Sequence, residues 1–236
     1  MAGPGPFGLR AFDQLGMSPA LAAQYVQRRR LIRLAKGVYA FTGSSLDVYG
    51  SLAFLQDRTP ELHIGGRAAL ELGLRGKALP APSPLVVWGA TRMSFPQWFA
   101  ERFPARYVSA KLFDWPEGGP CNAGLFTFAA LPAGPAIAAP ERAVLELLYE
   151  VGQQEGLDAA RALFEELGNL RLDILCPLLE HCRCVKVVRL FLHWARLTRI
   201  VDVDALRNRC ALPVGSRSRW VGRMKDGALL TIPPCD

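Results

Sequence analysis

The chain has 236 residues, enough for one large or two small domains that each bury a hydrophobic core. Half of its residues are hydrophobic, but no apolar run reaches the roughly 18 residues that cross a bilayer. The first residues do not have the pattern of a secretory signal. We therefore predict a cytoplasmic protein without a membrane partner. Six dilute cysteines without a CxxC pair exclude a disulfide framework, and the net charge of +7 favours an acidic partner.

Two short helices are predicted at the start of the chain. The segment Phe7–Gly16 has the pattern of one helix closed by its final glycine. Ser18 then has the position of an N-cap, and Pro19 follows at the first helical residue, where proline is favoured. We expect this second helix to run to about Arg29.

A hairpin is predicted directly after the second helix. Leu31–Ala35 and Gly37–Phe41 are rich in branched and aromatic residues and meet at a Lys-Gly pair that suits a turn. The order helix, turn, helix, hairpin is that of a small winged helix-turn-helix. We therefore predict a DNA-binding domain over residues 1–44.

Positive charge is concentrated in this first domain. Residues 1–43 contain six Lys/Arg and one acidic residue, a net charge of +5, which we interpret as most of the excess charge of the chain. Clustered positive charge favours a polyanionic partner such as nucleic acid, although it does not prove one.

One face of the second helix has the composition of a recognition helix. Leu21, Ala22, Tyr25 and Val26 share the inward face, which leaves small residues and two glutamines outside. Glutamine amides can read adenine edges, and two more cations lie on the wing. The arginine triplet can hold phosphates, with Arg29 at a frayed helix end or in the turn. The residues predicted to bind DNA are Ser18, Gln24, Gln27, Arg28, Arg29, Arg30, Arg33 and Lys36. The competing interpretation is a solvated basic helix in a module that binds another protein.

The rest of the chain, residues 45–236, is predicted to form a larger second domain of mixed α/β structure at 45–138 and mainly helical structure at 139–236. The fold class is therefore α+β. Helices are predicted at 45–57, 67–75, 94–103, 140–154, 157–167, 171–182 and 185–197, strands at 61–64, 84–89, 106–113 and 125–131, and a closing hairpin around 225–227.

Three features of the second domain suggest other chemistry. The segment His63–Gly66 before a helix could bind an anion, but it lacks the remaining residues of a phosphate-binding motif, and we interpret it as a tight strand-to-helix junction. The spacing of Cys176, His181, Cys182 and Cys184 matches no common zinc module, so no metal is predicted. The sequence has no GxSxG motif, and its histidines have no evident partners, so we predict neither a catalytic residue nor a cofactor.

A basic stripe is predicted on the helix at 185–197. Lys186, Arg189, His193 and Arg196 recur at helical spacing on one side, which we expect to be exposed and locally positive. Such a stripe is most often the solvated face of a helix. Its functional alternative is a second basic surface that contacts the DNA backbone or serves another function of the second domain.

The sequence resembles the AbiEi-like antitoxins of abortive-infection, type IV toxin–antitoxin systems. The segments that carry the resemblance are LGMSPALAAQYVQRRRLIRLAKGVYAF, ELHIGGRAALELGL, PERAVLELLYEV, VKVVRLFLHWARL and LLTIPP, in this order along the chain. The resemblance implies a winged helix that binds operator DNA and a C-terminal domain with antitoxin and further DNA-binding duties. It also implies a nucleotidyltransferase toxin that the antitoxin counters without a stable complex.

These observations lead to one functional prediction, a non-enzymatic antitoxin that represses its own operon in phage defence. An interaction-only protein, whose winged helix binds a protein partner, is the alternative. A nuclease or nucleotidyltransferase would need clustered acidic metal ligands, and the sequence has no such cluster.

Overall fold

The computed structural model describes residues 5–8, 11–12, 18–75, 84–117, 119, 122–127 and 134–234. These residues form a mixed α+β protein with helices and sheets of three, five and two strands, which confirms the predicted α+β class. In chain order the elements are β1 (Phe7–Gly8), α1 (Pro19–Gln27), β2 (Leu31–Ala35), β3 (Val38–Phe41), α2 (Val48–Gln56), β4 (His63–Ile64), α3 (Gly66–Arg75), β5 (Leu85–Gly89), α4 (Gln97–Ala100), β6 (Ala105–Ser109), β7 (Leu125–Thr127), β8 (Ala136–Ala138), α5 (Pro140–Glu150), α6 (Leu157–Glu165), α7 (Leu172–Glu180), α8 (Val185–Thr198), α9 (Val203–Arg209), β9 (Trp220–Arg223) and β10 (Leu229–Ile232).

The predicted helix Phe7–Gly16 is wrong at its first two residues. Phe7 and Gly8 form β1, which pairs antiparallel with β3 and completes a three-stranded sheet. The ring of Phe7 lies 5.0 Å from that of Phe41 and 5.5 Å from that of Phe12, so aromatic packing on the hairpin favours the strand. Ala11 and Phe12 are helical, and the other residues of the predicted helix lie outside the described part.

The second predicted helix is confirmed as α1, including its start. The Ser18 hydroxyl oxygen accepts a hydrogen bond from Leu21 N at 3.3 Å, and Pro19 occupies the first turn. α1 ends at Gln27, two residues before the predicted end. A small core of Phe12, Ala22 and Leu31 lies beneath α1 and is separate from the main core.

The five-stranded sheet organises the middle of the chain. Its strand order is β6-β5-β4-β8-β7, with β5 parallel to β6, β4 parallel to β8, and the other two pairings antiparallel. β8 was not predicted from the sequence. It consists only of alanine and isoleucine, and Ile137 and Ala138 are buried, so it lacks the alternation of polar and apolar residues that marks a half-exposed strand. Residues 128–131 of the predicted strand 125–131 lie outside the described part.

The helical part follows the predicted order, with α5, α6, α7 and α8 each somewhat shorter or longer than expected. α9 was not predicted. It begins at an N-cap, Asp202, whose carboxylate accepts hydrogen bonds from Asp204 N and Ala205 N at 3.0 Å. The closing hairpin is confirmed as β9 and β10, with Gly227 at φ 89° in its turn.

The N-terminal sheet packs directly on the second part of the chain. Val38 of β3 is 3% exposed and belongs to the main core. At the start of β1, a Cβ on Gly5 would lie 2.8 Å from Gly50 O of α2, so this approach requires glycine. In the described part of the chain, none of the helices combines the length and apolarity needed to span a membrane.

Candidate nucleic-acid interface

The outward face of α1 is exposed. Gln24 and Gln27 point to solvent together with the small residues Ala20 and Ala23, while Ala22 is fully buried on the opposite side. The amphipathic pattern of the sequence thus gives the expected orientation of the helix. Small exposed residues beside two amides allow another molecule to approach the helix closely.

The arginine triplet closes α1 through a Schellman motif. Arg30 N donates to Tyr25 O at 2.9 Å and Arg29 N donates to Val26 O at 3.0 Å, which satisfies carbonyls at the helix end. Arg29 has φ 55°, in the left-handed region, at the position that glycine usually occupies in this motif. The prediction that Arg29 lies in the turn is confirmed. An arginine retained there costs roughly 1 kcal/mol of backbone strain.

The described cations of this region are exposed and form no ion pair with another described residue. Arg33 and Lys36 lie on the hairpin, where Arg33 Nε donates only to Ala35 O at 3.4 Å and Gly37 forms the turn at φ 73°. Among the described residues, no carboxylate pairs with these two or with the three arginines at the end of α1. The region therefore presents five side-chain charges to solvent.

The sequence of the chain matches two family models. One, described as "Transcriptional regulator, AbiEi antitoxin, Type IV TA system", matches residues 83–233, and the other, "Transcriptional regulator, AbiEi antitoxin N-terminal domain", matches residues 5–79. The chain belongs to the AbiEi antitoxin family. The resemblance inferred from the sequence is thereby confirmed, and the family description makes this chain a transcriptional regulator and antitoxin, a role that implies DNA and a toxin as partners.

Other comparisons give the fold alone. No curated protein matches the chain. Among solved structures, the RV2827C protein from Mycobacterium tuberculosis is similar with a TM-score of 0.56 and 14% identity, over 93% of this chain and 84% of that one. At this identity the similarity supports the overall architecture, including the order of the two parts matched by the family models.

The junction at His63–Gly66 is occupied by the chain's own carboxylate. Glu146 of α5 accepts hydrogen bonds from Gly66 N at 3.0 Å and Arg142 Nε at 2.9 Å, and lies 2.8 Å from His63 Nε2. A Cβ on Gly65 would overlap the Glu146 carboxylate. The glycines thus admit an internal anion at the start of α3, which supports the interpretation of this segment as a structural junction.

The carboxylate of Glu146 is stabilised in its charged form. It is 1% exposed, and burial alone would raise its pKa, but the charges and hydrogen bonds of His63 and Arg142 lower the pKa below its ordinary value. His63 Nδ1 lies 2.8 Å from Glu61 O, so each ring nitrogen faces an acceptor. Sequence patterns did not predict the contact between His63 and Glu146, because these two residues are 83 positions apart in the chain.

A cavity of about 400 Å³ borders the same network. The aromatic side chains of Trp88, Phe113 and Trp115 line it, and His63 and Glu146 form part of its wall. Both oxygens of the carboxylate are already bonded within the protein. The Glu146 carboxylate is therefore satisfied within the protein, whereas the buried indole Nε1 of Trp88, which also lines the cavity, has no hydrogen-bond partner among the described residues.

The basic stripe predicted on α8 is not an exposed surface. Lys186 is 9% exposed and Arg189 is 2% exposed, so the expectation is wrong for both residues. His193 is half-buried, and burial together with the charges of Arg161 and Arg196 lowers its pKa from the ordinary histidine value, which favours the neutral imidazole. Only Arg196 of the predicted set carries an exposed charge.

The buried cations of α8 bind backbone carbonyls. Lys186 Nζ donates to Tyr149 O at 2.6 Å and to Val151 O at 3.0 Å, at the C-terminal end of α5, where a cation is favoured. Arg189 donates to Val214 O and Ser218 O at 2.6 Å and also to Ser216 O, and so fixes the loop before β9. Helical spacing placed these residues on one side correctly, but neighbouring elements cover that side.

The cysteines between residues 176 and 184 mostly belong to the hydrophobic core. Cys176 and Cys182 are buried, and burial raises the pKa of the Cys182 thiol to about 12, so it is protonated at neutral pH. The His181 ring packs against Trp115 at 4.6 Å. Within the described ranges no group of three or more His, Cys, Asp or Glu side chains is arranged to hold a metal ion.

The charge count at the start of the chain missed a second basic region. Residues 181–236 contain eleven Lys/Arg and four Asp/Glu, a net charge of +7, whereas residues 44–180 contain eleven and sixteen, a net charge of −5. The interpretation that most of the excess charge lies in residues 1–43 is therefore wrong. The exposed members of the second region are Arg183, Arg196, Arg199, Arg209, Arg217, Arg219, Arg223 and Lys225.

Proposed function

We propose that α1 and the hairpin form a winged helix-turn-helix that binds operator DNA. α1 enters the major groove, where Gln24 and Gln27 contact base edges. The surrounding phosphates are held by Ser18 at the start of α1, by Arg28, Arg29 and Arg30 at its end, and by Arg33 and Lys36 on the wing. Residues 1–44 are the DNA-binding domain in this proposal, and residues 45–236 are the antitoxin domain.

The observation that carries the proposal is the exposed charge at the end of α1, which has no ion-pair partner in the part of the chain that the structure describes. Elsewhere in the described chain several arginines are paired with carboxylates, as in the bidentate contacts of Arg106 with Glu150 at 2.7 and 2.5 Å and of Arg171 with Glu141 at 3.0 and 3.1 Å. Cations left without a protein partner beside an exposed helix face match the phosphate groups of DNA. Membership of a family of transcriptional regulators supports the same partner.

The proposed cellular role is autorepression of a toxin–antitoxin operon in the cytoplasm. The protein represses transcription through its first domain and counters a nucleotidyltransferase toxin through its second domain, without a stable complex. Family membership supports the antitoxin and regulator roles. The identity of the toxin and the absence of a complex rest on the sequence resemblance.

DNA binding is tested with the fragment upstream of the protein's own gene. Fluorescence anisotropy would compare the wild type with Gln27→Ala and Arg28→Ala, and with Arg92→Ala as an exposed control on the second part of the chain. Loss of the glutamine should cost roughly 1–3 kcal/mol on the operator only, and loss of the arginine should weaken binding to all DNA and reduce the salt slope by about 0.9. Unchanged binding in both variants would reject the interface and favour a protein partner.

The antitoxin role is tested by co-expression with the toxin encoded beside this gene. The wild type and Arg28→Ala should protect cells equally, because the substitution removes a DNA contact and leaves the second domain intact. Size-exclusion chromatography of the mixed proteins should show two separate peaks. Co-elution in one peak would contradict the proposal that no stable complex forms.

A further inference from the structure

Arg58 lies directly after α2, outside the residues proposed above to bind DNA. It is exposed, and its backbone N–H donates to Leu55 O at 3.1 Å in the last turn of the helix. Its guanidinium carbon lies 5.2 Å from the centre of the Phe54 ring, and Phe54 in turn packs edge-on against Trp98 at 6.4 Å. A cation that stacks on an anchored aromatic ring has a restricted position, so little side-chain freedom is lost when it binds.

The position of Arg58 is beside the hairpin turn. A Cβ on Gly8 of β1 would lie 3.6 Å from Gly37 O, 3.7 Å from Arg58 Nη2 and 3.5 Å from the Phe54 ring. The turn carbonyl and the guanidinium therefore flank the same glycine. Lys36, the exposed cation at the tip of the hairpin, is the neighbour of Gly37 in the chain, so its backbone belongs to the turn that Arg58 lies beside.

Like Arg33 and Lys36 on the hairpin, Arg58 is an exposed cation without a carboxylate partner among the described residues. Within the described residues it forms no ion pair, and the nearest acidic residue in sequence, Asp57, is not bonded to it. Arg67, only nine positions later, is by contrast held by Glu155 and Glu71 at 2.6 and 3.4 Å. Of these two arginines, Arg58 lies beside the hairpin and has no carboxylate partner among the described residues, whereas Arg67 is paired.

We propose that Arg58 is a phosphate-binding residue that extends the DNA-binding surface from the hairpin onto the end of α2. The proposal rests on the proposed DNA-binding function. A planar guanidinium with free donors suits a phosphate oxygen, and contacts of this kind position a protein without selecting a sequence. The contact also fixes the second part of the chain to the DNA, because Phe54 connects Arg58 to the main core.

The experiment uses full-length Arg58→Gln and Arg58→Lys in the DNA-binding assay, with Arg92→Ala as the control. Arg58→Gln keeps a side chain over Phe54 but removes the charge. It should weaken binding to operator and unrelated DNA by the same factor and lower the slope of log affinity against log salt by about 0.9. Arg58→Lys should restore the slope, because lysine keeps a point charge for a phosphate.

The outcomes separate this inference from the proposed function. If the wild type binds DNA and Arg28→Ala lowers the salt slope, but Arg58→Gln behaves like Arg92→Ala, Arg58 only covers Phe54 and the inference is wrong. If the wild type does not bind DNA, the proposed function fails and the inference fails with it. Circular dichroism of each variant confirms that the comparison is made between folded proteins.

Discussion

The arginines that follow α1 and the cations in the first half of α8 differ in their surroundings although both groups carry positive charge. Arg28, Arg29 and Arg30 are exposed and have no acidic partner among the described residues. Lys186 and Arg189 are buried and donate to five carbonyl oxygens of neighbouring segments. Side chains of the same charge are therefore exposed to solvent in one region and bind backbone carbonyls inside the protein in the other.

The difference follows from what covers each helix. α1 has the small core of the N-terminal unit on one side only, so its other side meets water. α8 packs against α5, α6, α9 and β10, and Val187, Val188 and Phe191 are fully buried. A charged residue on the covered part of such a helix must find polar groups of the protein, because an unpaired buried charge is very costly.

The largest effect is expected at Glu146, the buried carboxylate that contacts His63, Gly66 and Arg142. Glu146→Gln should lower the free energy of unfolding by about 3–5 kcal/mol, because it removes a buried negative charge that is hydrogen-bonded to Gly66 N and Arg142 Nε and lies 2.8 Å from His63 Nε2. Urea denaturation gives the value. Glu165→Gln removes an exposed carboxylate paired with Arg161 and should cost no more than about 1 kcal/mol. Equal losses of stability in the two variants would show that the buried carboxylate contributes no more to stability than the exposed one.

A smaller loss is expected at Arg189. Arg189→Met keeps much of the side-chain volume but abolishes three charge-assisted hydrogen bonds, which should cost roughly 2–4 kcal/mol. Arg196→Ala, on the exposed end of the same helix, should change stability by no more than about 0.5 kcal/mol. If Arg196→Ala were the more destabilising variant, our account of α8 would be wrong.

Acid should reveal the contribution of Glu146 progressively. Its pKa in the folded state is lowered, so the stabilisation is fully present above the pKa of the unfolded state, about 4.3, and is lost as the pH falls through the folded pKa. Below about pH 4.3 the wild type should therefore lose stability more steeply than Glu146→Gln. Denaturation curves of both proteins from pH 7 to pH 3 test this, and parallel curves would contradict the assignment.

The smallest change in stability is expected at Arg29. Arg29→Gly should leave the free energy of unfolding unchanged or raise it by up to about 1 kcal/mol, because glycine adopts φ 55° without strain. Arg199→Gly is a matched control, since Arg199 ends α8 at φ 57°. Both variants should be as stable as the wild type or more so, but only Arg29→Gly should weaken DNA binding. Equal DNA affinity in the two variants would remove Arg29 from the interface.

The sequence predicted local structure well where the structure depends only on residues close together in the chain. The cap at Ser18, the turn at Gly37 and the hairpin at Gly227 depend on residues within a few positions of each other. β1 could not be read this way, because Phe7 and Gly8 become a strand only by pairing with β3, some 30 residues later. α9 was missed because its N-cap, Asp202, precedes a short segment with little periodicity.

The candidate interface shows the same limit. The exposed face of α1 follows from helical spacing, because one covered side implies an open one. The surroundings of Arg58 do not follow from spacing, since they depend on β1 lying against the end of α2. The fate of Lys186 and Arg189 likewise depended on segments distant in sequence.

The sequence by itself determined the family, the α+β class, the order of most elements and the amphipathic orientation of α1. These properties arise from short-range patterns of residue type, which act before any long-range contact is made. Only the tertiary structure decided which charges meet solvent and which are bonded within the protein. The reason is physical: the cost of a charge depends on the water and polar groups around it, and those are set by elements that come together only in the folded chain.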